Sequence, residues 1–158
     1  MIYIMTGPIG SGKTTQLENR TAGKKGIAGI LMPVIAGERH LYSIHADKLV
    51  PVEICEGESS DEVVIIGKYT FSGKVFDWGN REIVTGFKKN KMIIIDEIGP
   101  LELNDGGFSP ALKAILKDKQ RLIEVDLILV IREGMVEQVL NNFRIREYKI
   151  LKKLSDLE

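Results

Sequence analysis

The chain has 158 residues, 44% of them hydrophobic and 28% charged, which is the size and composition of one globular domain with its own core. Disordered, collagen-like and disulfide-stapled chains are excluded. Its 22 basic and 22 acidic residues balance to a formal net charge of zero, which argues against a protein living on non-specific contacts with nucleic-acid phosphates but leaves room for one locally built anion site.

Cys55 is the single cysteine, so no internal disulfide can form, which fits a reducing compartment. No CxxC or Cys/His cluster offers a structural zinc site. The opening stretch from Met1 to Thr6 is apolar but meets Gly7 and Pro8 at once, without the basic and long apolar regions of a signal peptide. No run approaches the roughly 18 apolar residues of a membrane span. The expectation is a cytoplasmic protein that engages neither membrane nor nucleic acid.

In chain order, Ile2 to Thr6 reads as a buried strand ended by glycine and proline. Lys13 to about Thr21 reads as a helix closed by Gly23 and Gly26. Ile27 to Val34 is a second strand, broken at Pro33. Arg39 to Ile54 alternates and carries a proline, which predicts one or two short strands at an edge. His40 and His45 fall in this stretch at odd spacing, on opposite faces, and so do not share a metal. Val63 to Ile66 is another strand-like run. From Val75 to Lys89 the residues Val75, Trp78, Ile83 and Phe87 form a helical face, interrupted by Gly79. Met92 to Ile95 is the most strand-like run and ends at Asp96 and Glu97. Ser109-Pro110 predicts a helix start, a capping hydroxyl followed by proline, running to about Lys119. Asp126 to Ile131 reads as a buried strand, Met135 to Asn142 as a helix and Tyr148 to Leu151 as a last strand. Strands alternating with helices, several of them apolar throughout, predict a single α/β domain over 1–158 with a largely parallel sheet covered by helices on both faces.

Gly7-Pro8-Ile9-Gly10-Ser11-Gly12-Lys13-Thr14 matches GxxxxGK[ST] in full, between a predicted strand and a predicted helix as the motif requires. Glycines let the backbone N–H groups close on a phosphate, and the helix points its positive end at it. In this pattern Lys13 reaches the β- and γ-phosphates and the Thr14 hydroxyl ligates Mg²⁺, with Thr15 completing the nucleotide-binding stretch. The glycines at 7, 10 and 12 do not make a dinucleotide-binding GxGxxG.

The second element is Met92-Ile93-Ile94-Ile95-Asp96-Glu97, an apolar strand ending in acids. That is the form of a Walker B segment, whose Asp belongs to the Mg²⁺ shell. Glu97 follows directly, where a carboxylate can accept a proton from attacking water. Asp96-Glu97-Ile98-Gly99 also fits the DxxG of GTP switches. The guanine-reading NKxD is missing, because Asn90-Lys91-Met92-Ile93 lacks the Asp and precedes a strand.

Thr6 to Thr15 together with Ile95-Asp96-Glu97-Ile98-Gly99-Pro100-Leu101-Glu102-Leu103 resembles the small P-loop nucleoside-triphosphatase family, which includes thermophile nucleoside-triphosphatases and the human cancer-related nucleoside-triphosphatase. Weaker echoes are Gly37-Glu38-Arg39 with Leu41-Tyr42, which resembles the family's G-x-R-x-G-F, and Gly67-Lys68-Tyr69, which resembles its G-R-Y. Leu41 and Lys68 depart from the glycine and arginine that the family tends to have there. The resemblance implies a P-loop α/β fold and Mg²⁺-dependent hydrolysis of ATP, GTP and other nucleoside triphosphates with broad base tolerance.

Positive charge for the transferred phosphate has one preferred source. Arg132 directly follows the strand Asp126 to Ile131 and should emerge at the same edge as the P-loop. Arg39, Lys68, Arg144 and Arg146 are looser candidates. Trp78, Phe71 and Phe76 read as core, Lys88-Lys89-Asn90-Lys91 as a solvated helix end, and Cys55 has no partner histidine. The expected catalytic set is therefore Glu97, Lys13 and Arg132, with Thr14 and Asp96 on Mg²⁺. Two other readings use the same motifs: a nucleotide or small-molecule kinase, and a regulatory or assembly module timed by slow hydrolysis.

Overall fold

The apolar runs of the sequence become the strands of one central sheet. The computed structural model describes residues 1–53, 63–66 and 69–157. β1 (Ile2–Met5) leads into α1 (Lys13–Thr21), and β2 (Ile27–Leu31) follows. The chain then makes three short strands, β3 (Val34–Ile35), β4 (Glu38–Ser43) and β5 (Lys48–Pro51). β6 (Val63–Ile66) and β7 (Tyr69–Ser72) form a separate antiparallel pair. α2 (Gly73–Lys89) returns the chain to the centre as β8 (Met92–Ile98). Three helices come next, α3 (Pro100–Leu103), α4 (Ser109–Lys117) and α5 (Lys119–Ile123). β9 (Asp126–Ile131), α6 (Val136–Asn142), β10 (Lys149–Leu151) and a 3₁₀ turn at Leu154–Leu157 complete the order.

The strand order is β10-β1-β9-β8-β2-β4-β3, with β5 also paired to β4. β10, β1, β9, β8 and β2 run parallel. β3, β4 and β5 add an antiparallel arm beside β2. Alternation along each strand explains why the runs are apolar throughout. Ile93 and Ile95 of β8 and Leu127, Leu129 and Ile131 of β9 face one core, with Phe76, Ile83, Leu112 and Val139 from α2, α4 and α6. Ile94, Ile128 and Val130 face the other, with Leu17 of α1 and Leu154. The central strands β1, β9, β8 and β2 thus pack apolar side chains into a core on each face of the sheet. Among the described residues no helix is long and apolar enough to cross a membrane.

Two glycines permit this packing. Gly29 of β2 has φ of 112°, and a Cβ there would collide with the Ile94 carbonyl of β8. Gly79, inside α2, leaves room for Leu41 and Phe108, whose atoms would lie 2.8 Å from an added Cβ. The interruption expected at Gly79 is thus a contact point, and α2 runs through it.

The structure departs from the sequence expectations in several places. The run at 63–66 is a strand but lies outside the central sheet. β8 does not stop before its acids; it continues through Asp96 and Glu97 to Ile98. Ser109 is no cap: its hydroxyl is buried without a hydrogen-bond partner among the described residues. Asn80 of α2 instead accepts from Ala111 N at 2.9 Å and donates to Gly107 O at 2.8 Å. A distant side chain thus satisfies the start of α4 where a local hydroxyl was expected. α3 and α5 have no forerunner in the sequence reading. His40 lies in β4 and contacts Glu38 O, whereas His45 lies beyond β4 and pairs with Glu82 at 3.2 Å.

Candidate active site

β1 delivers the glycine-rich loop to the start of α1. Gly10 and Gly12 have φ of 77° and 82°, values that a side chain resists and glycine accepts. Gly12 occupies the N-cap of α1, and its carbonyl accepts from Gln16 N at 2.9 Å. Ser11 N donates to Pro8 O at 3.1 Å, closing the turn. Lys13 folds back over the loop: Nζ donates to Gly7 O at 2.9 Å, Pro8 O at 3.0 Å and Ser11 Oγ at 3.3 Å. Ile9 stands exposed at the tip and Thr15 is exposed on the first helical turn. The positive end of α1 and one ammonium group therefore face the same concavity.

The acids arrive from two strands away. Met5 of β1 and Asp96 of β8 both pair with Val130 of β9, one from each side. They therefore lie level at the C-terminal edge of the sheet. Thr14 Oγ1 donates to Asp96 Oδ2 at 2.7 Å, and Met32 N donates to the same oxygen at 3.4 Å. Asp96 is 2% exposed. Burial pushes its carboxyl up to about 6, against the opposing pull of the Thr14 and Met32 hydrogen bonds, while the Glu97 charge adds to the rise. Two hard oxygens in contact at the mouth of a phosphate loop are a donor set suited to Mg²⁺.

Between Asp96 and Ile98 the register against β9 shifts. Such an irregularity re-aims side chains at the end of a strand, and Glu97 is left half-buried while its neighbours on both sides are buried. Its Oε1 accepts from Arg132 Nε at 3.3 Å. Arg132 follows β9 directly, and its own N–H donates to Ile98 O at 3.0 Å. Lys13 and Thr14, Asp96 and Glu97, and Arg132 thus stand at the ends of three adjacent strands.

Glu102 belongs with this group and had no role in the sequence reading. It is 3% exposed. Oε2 accepts from Gly99 N at 2.8 Å and Oε1 accepts from Phe108 N at 3.2 Å. Burial pushes its carboxyl up to about 7; the two N–H donors oppose this and the nearby Glu97 charge adds to it. A side chain on Gly107 would collide with this carboxylate. One signal was present in the sequence: Gly99, Pro100 and Glu102 have the spacing of an N-cap, a first-turn proline and an N3 acid that reaches back to the cap.

The looser cations fall elsewhere. Arg144 and Arg146 line a cavity with Met1, Ile2 and Asp126, which begin β1 and β9, so they sit at the sheet edge opposite the P-loop. Arg39 lies in β4, where its backbone N–H donates to Glu53 at 3.3 Å. Lys68 and Cys55 lie outside the described residues. Phe71 and Phe76 are buried and meet edge to face at 6.2 Å. Trp78 packs on the core beneath Lys48, whose Nζ lies 5.5 Å from the ring.

Comparison with known proteins bears on the family and the fold. The model of a protein family described as NTPase matches residues 2–155. Among solved structures, THEP1 from the hyperthermophile Aquifex aeolicus superposes with a TM-score of 0.69 at 21% identity, over 99% of this chain and 92% of that one. At that identity the likeness is one of fold. No curated protein matches.

Proposed function

Because the chain belongs to the NTPase family, we propose that it hydrolyses nucleoside triphosphates to diphosphate and phosphate in a Mg²⁺-dependent reaction with broad base tolerance. The observation that carries this reading is the 2.7 Å contact between Thr14 and Asp96, 82 residues apart in sequence, with Glu97 next to it. Thr14 and Asp96 would hold Mg²⁺, which when bound offsets charge on the phosphate oxygens. The loop amides and Lys13 would bind the β- and γ-phosphates, Lys13 exchanging the loop's own carbonyls for phosphate oxygens. Glu97 would orient the attacking water and accept its proton; one oxygen faces Arg132 and the other is left to accept from water. Arg132 would hold Glu97 in place and lend positive charge beside the leaving phosphate. Positioning and electrostatics supply nearly all the catalysis in such chemistry.

The test is phosphate release from ATP, GTP, CTP and UTP with and without Mg²⁺, in the wild type and in Glu97→Gln. The variant should retain Mg-nucleotide binding and lose turnover by about 10²–10⁴-fold, the size of a general-base effect. Near-normal release from Glu97→Gln would overturn the role given to that carboxylate. Little phosphate release, with diphosphate formed only when a phosphate acceptor is added and becomes phosphorylated, would mark a kinase.

A further inference from the structure

The sheet edge opposite the P-loop carries a second concavity, unconnected with the chemistry above. A cavity of about 910 Å³ opens between the starts of β1 and β9, the α4–α5 region and the turn after α6. That volume falls within the range of small-molecule sites, about 300–1,000 Å³. Its apolar lining includes Ile2, Leu122, Phe143 and Ile145, the last two buried beneath it. Ile123 on its border is 83% exposed, an isolated aliphatic side chain held in water.

The charge around this lining is not balanced, although the charge of the whole chain is. Lys119, Arg144 and Arg146 line the cavity, and among the described residues they enter no ion pair. Of the two acids there, Asp126 is engaged by the Met1 amino group at 3.4 Å, which leaves Glu147 against three cations. Arg144 also occupies a costly position. It follows the last turn of α6 at φ of 56°, with Arg144 N donating to Asn141 O and Ile145 N to Leu140 O. Glycine is the unstrained residue for that helix ending, and a long side chain there is held against the steric cost of the left-handed backbone. Here the position carries a guanidinium at the mouth of an apolar pocket.

We propose that this cavity binds an organic anion with an apolar body, a carboxylate or phosphate head held by Arg144 and Arg146 and a hydrocarbon portion laid over Phe143 and Ile145. The test uses decanoate as probe, titrated by calorimetry and by amide chemical shifts, with decan-1-ol and decyltrimethylammonium as the uncharged and cationic counterparts. Saturable one-to-one binding of decanoate is expected, with shifts centred on residues 143–147 and affinity at least tenfold above that of the two counterparts. Arg144→Ala/Arg146→Ala should weaken it by about tenfold or more, with Tm and phosphate release unchanged. Should that double variant melt early, the exposed Lys119→Glu tests the same charge requirement. Absence of saturable binding, equal affinity for the alcohol, or full affinity in the charge-depleted variants overturns the proposal. None of these readouts depends on nucleotide hydrolysis.

Discussion

Glu102 has almost no solvent to stabilise its charge and relies on backbone N–H groups, those of Gly99 and Phe108 foremost. Its carboxyl is pushed up to about 7 from an ordinary 4.5. A group whose folded value lies above its unfolded one adds stability that is complete below the unfolded value and lost as pH rises through the folded one. For Glu102 that window runs from 4.5 to about 7. Lowering the pH from about 7.5 to 5.5 should therefore stabilise the wild type by about 2 kcal/mol relative to Glu102→Gln. Urea unfolding of both proteins at the two pH values measures this; parallel curves would refute it. The residue scale also shows which parts of the candidate site a sequence exposes by itself. The loop from Gly7 to Thr15 and the pair Asp96-Glu97 were legible because their spacing is local and their chemistry demands those residue types. Glu102 was visible as part of a resemblance but not as a buried carboxylate, because its burial is made by Gly107 and Phe108, which the chain folds over it. Arg144 and Arg146 could be named only as looser candidates for a related reason, since adjacency in sequence says nothing about which end of a sheet a turn occupies.

At the scale of elements, the apolar runs at Ile2, Ile27, Met92 and Asp126 became parallel strands because each has helices on both sides to bury it. The boundaries were less legible. β8 continues past its acids because β9 supplies ladder partners as far as Ile131. The start of α4 is satisfied by Asn80 of α2, a contact that no local pattern encodes. Close approach of β2 to β8 depends on Gly29, and here substitutions can be ranked. Gly29→Ala should destabilise by more than about 3 kcal/mol, because the new methyl meets a backbone carbonyl that cannot move without breaking the ladder. Gly23→Ala, at φ of 68° but in open space, should cost only about 1–2 kcal/mol, the left-handed penalty alone. Chemical denaturation of the two variants decides the ranking, and equal losses would contradict it.

For the whole molecule, the zero net charge conceals a separation along the strands. One edge gathers Lys13, Arg132 and the N-terminus of α1 against Asp96, Glu97 and Glu102; the other gathers Lys119, Arg144 and Arg146 with little opposing charge. The first edge joins three strands, so a nucleotide bound there should stabilise the entire sheet. Mg-nucleotide at about 100 times its dissociation constant should add about 2.7 kcal/mol and raise Tm accordingly. Lys13→Ala should abolish the rise by removing the ammonium that reaches the phosphates, and an undiminished rise in that variant would count against the P-loop as the binding site.

The placement of β9 between β1 and β8 also bears on the order in which the molecule can be made. A nascent chain extending only to Val125 already contains the glycine loop, the lysine and both acids. It lacks the strand that pairs with each of their carriers and holds them level. The loop emerges from the ribosome early, but its partners cannot be set beside it until residues 126–131 have been synthesised and inserted between strands that came before them. Synthesis therefore supplies the last structural part of the site well after the first, and the interval is one in which two apolar strand edges await the same neighbour.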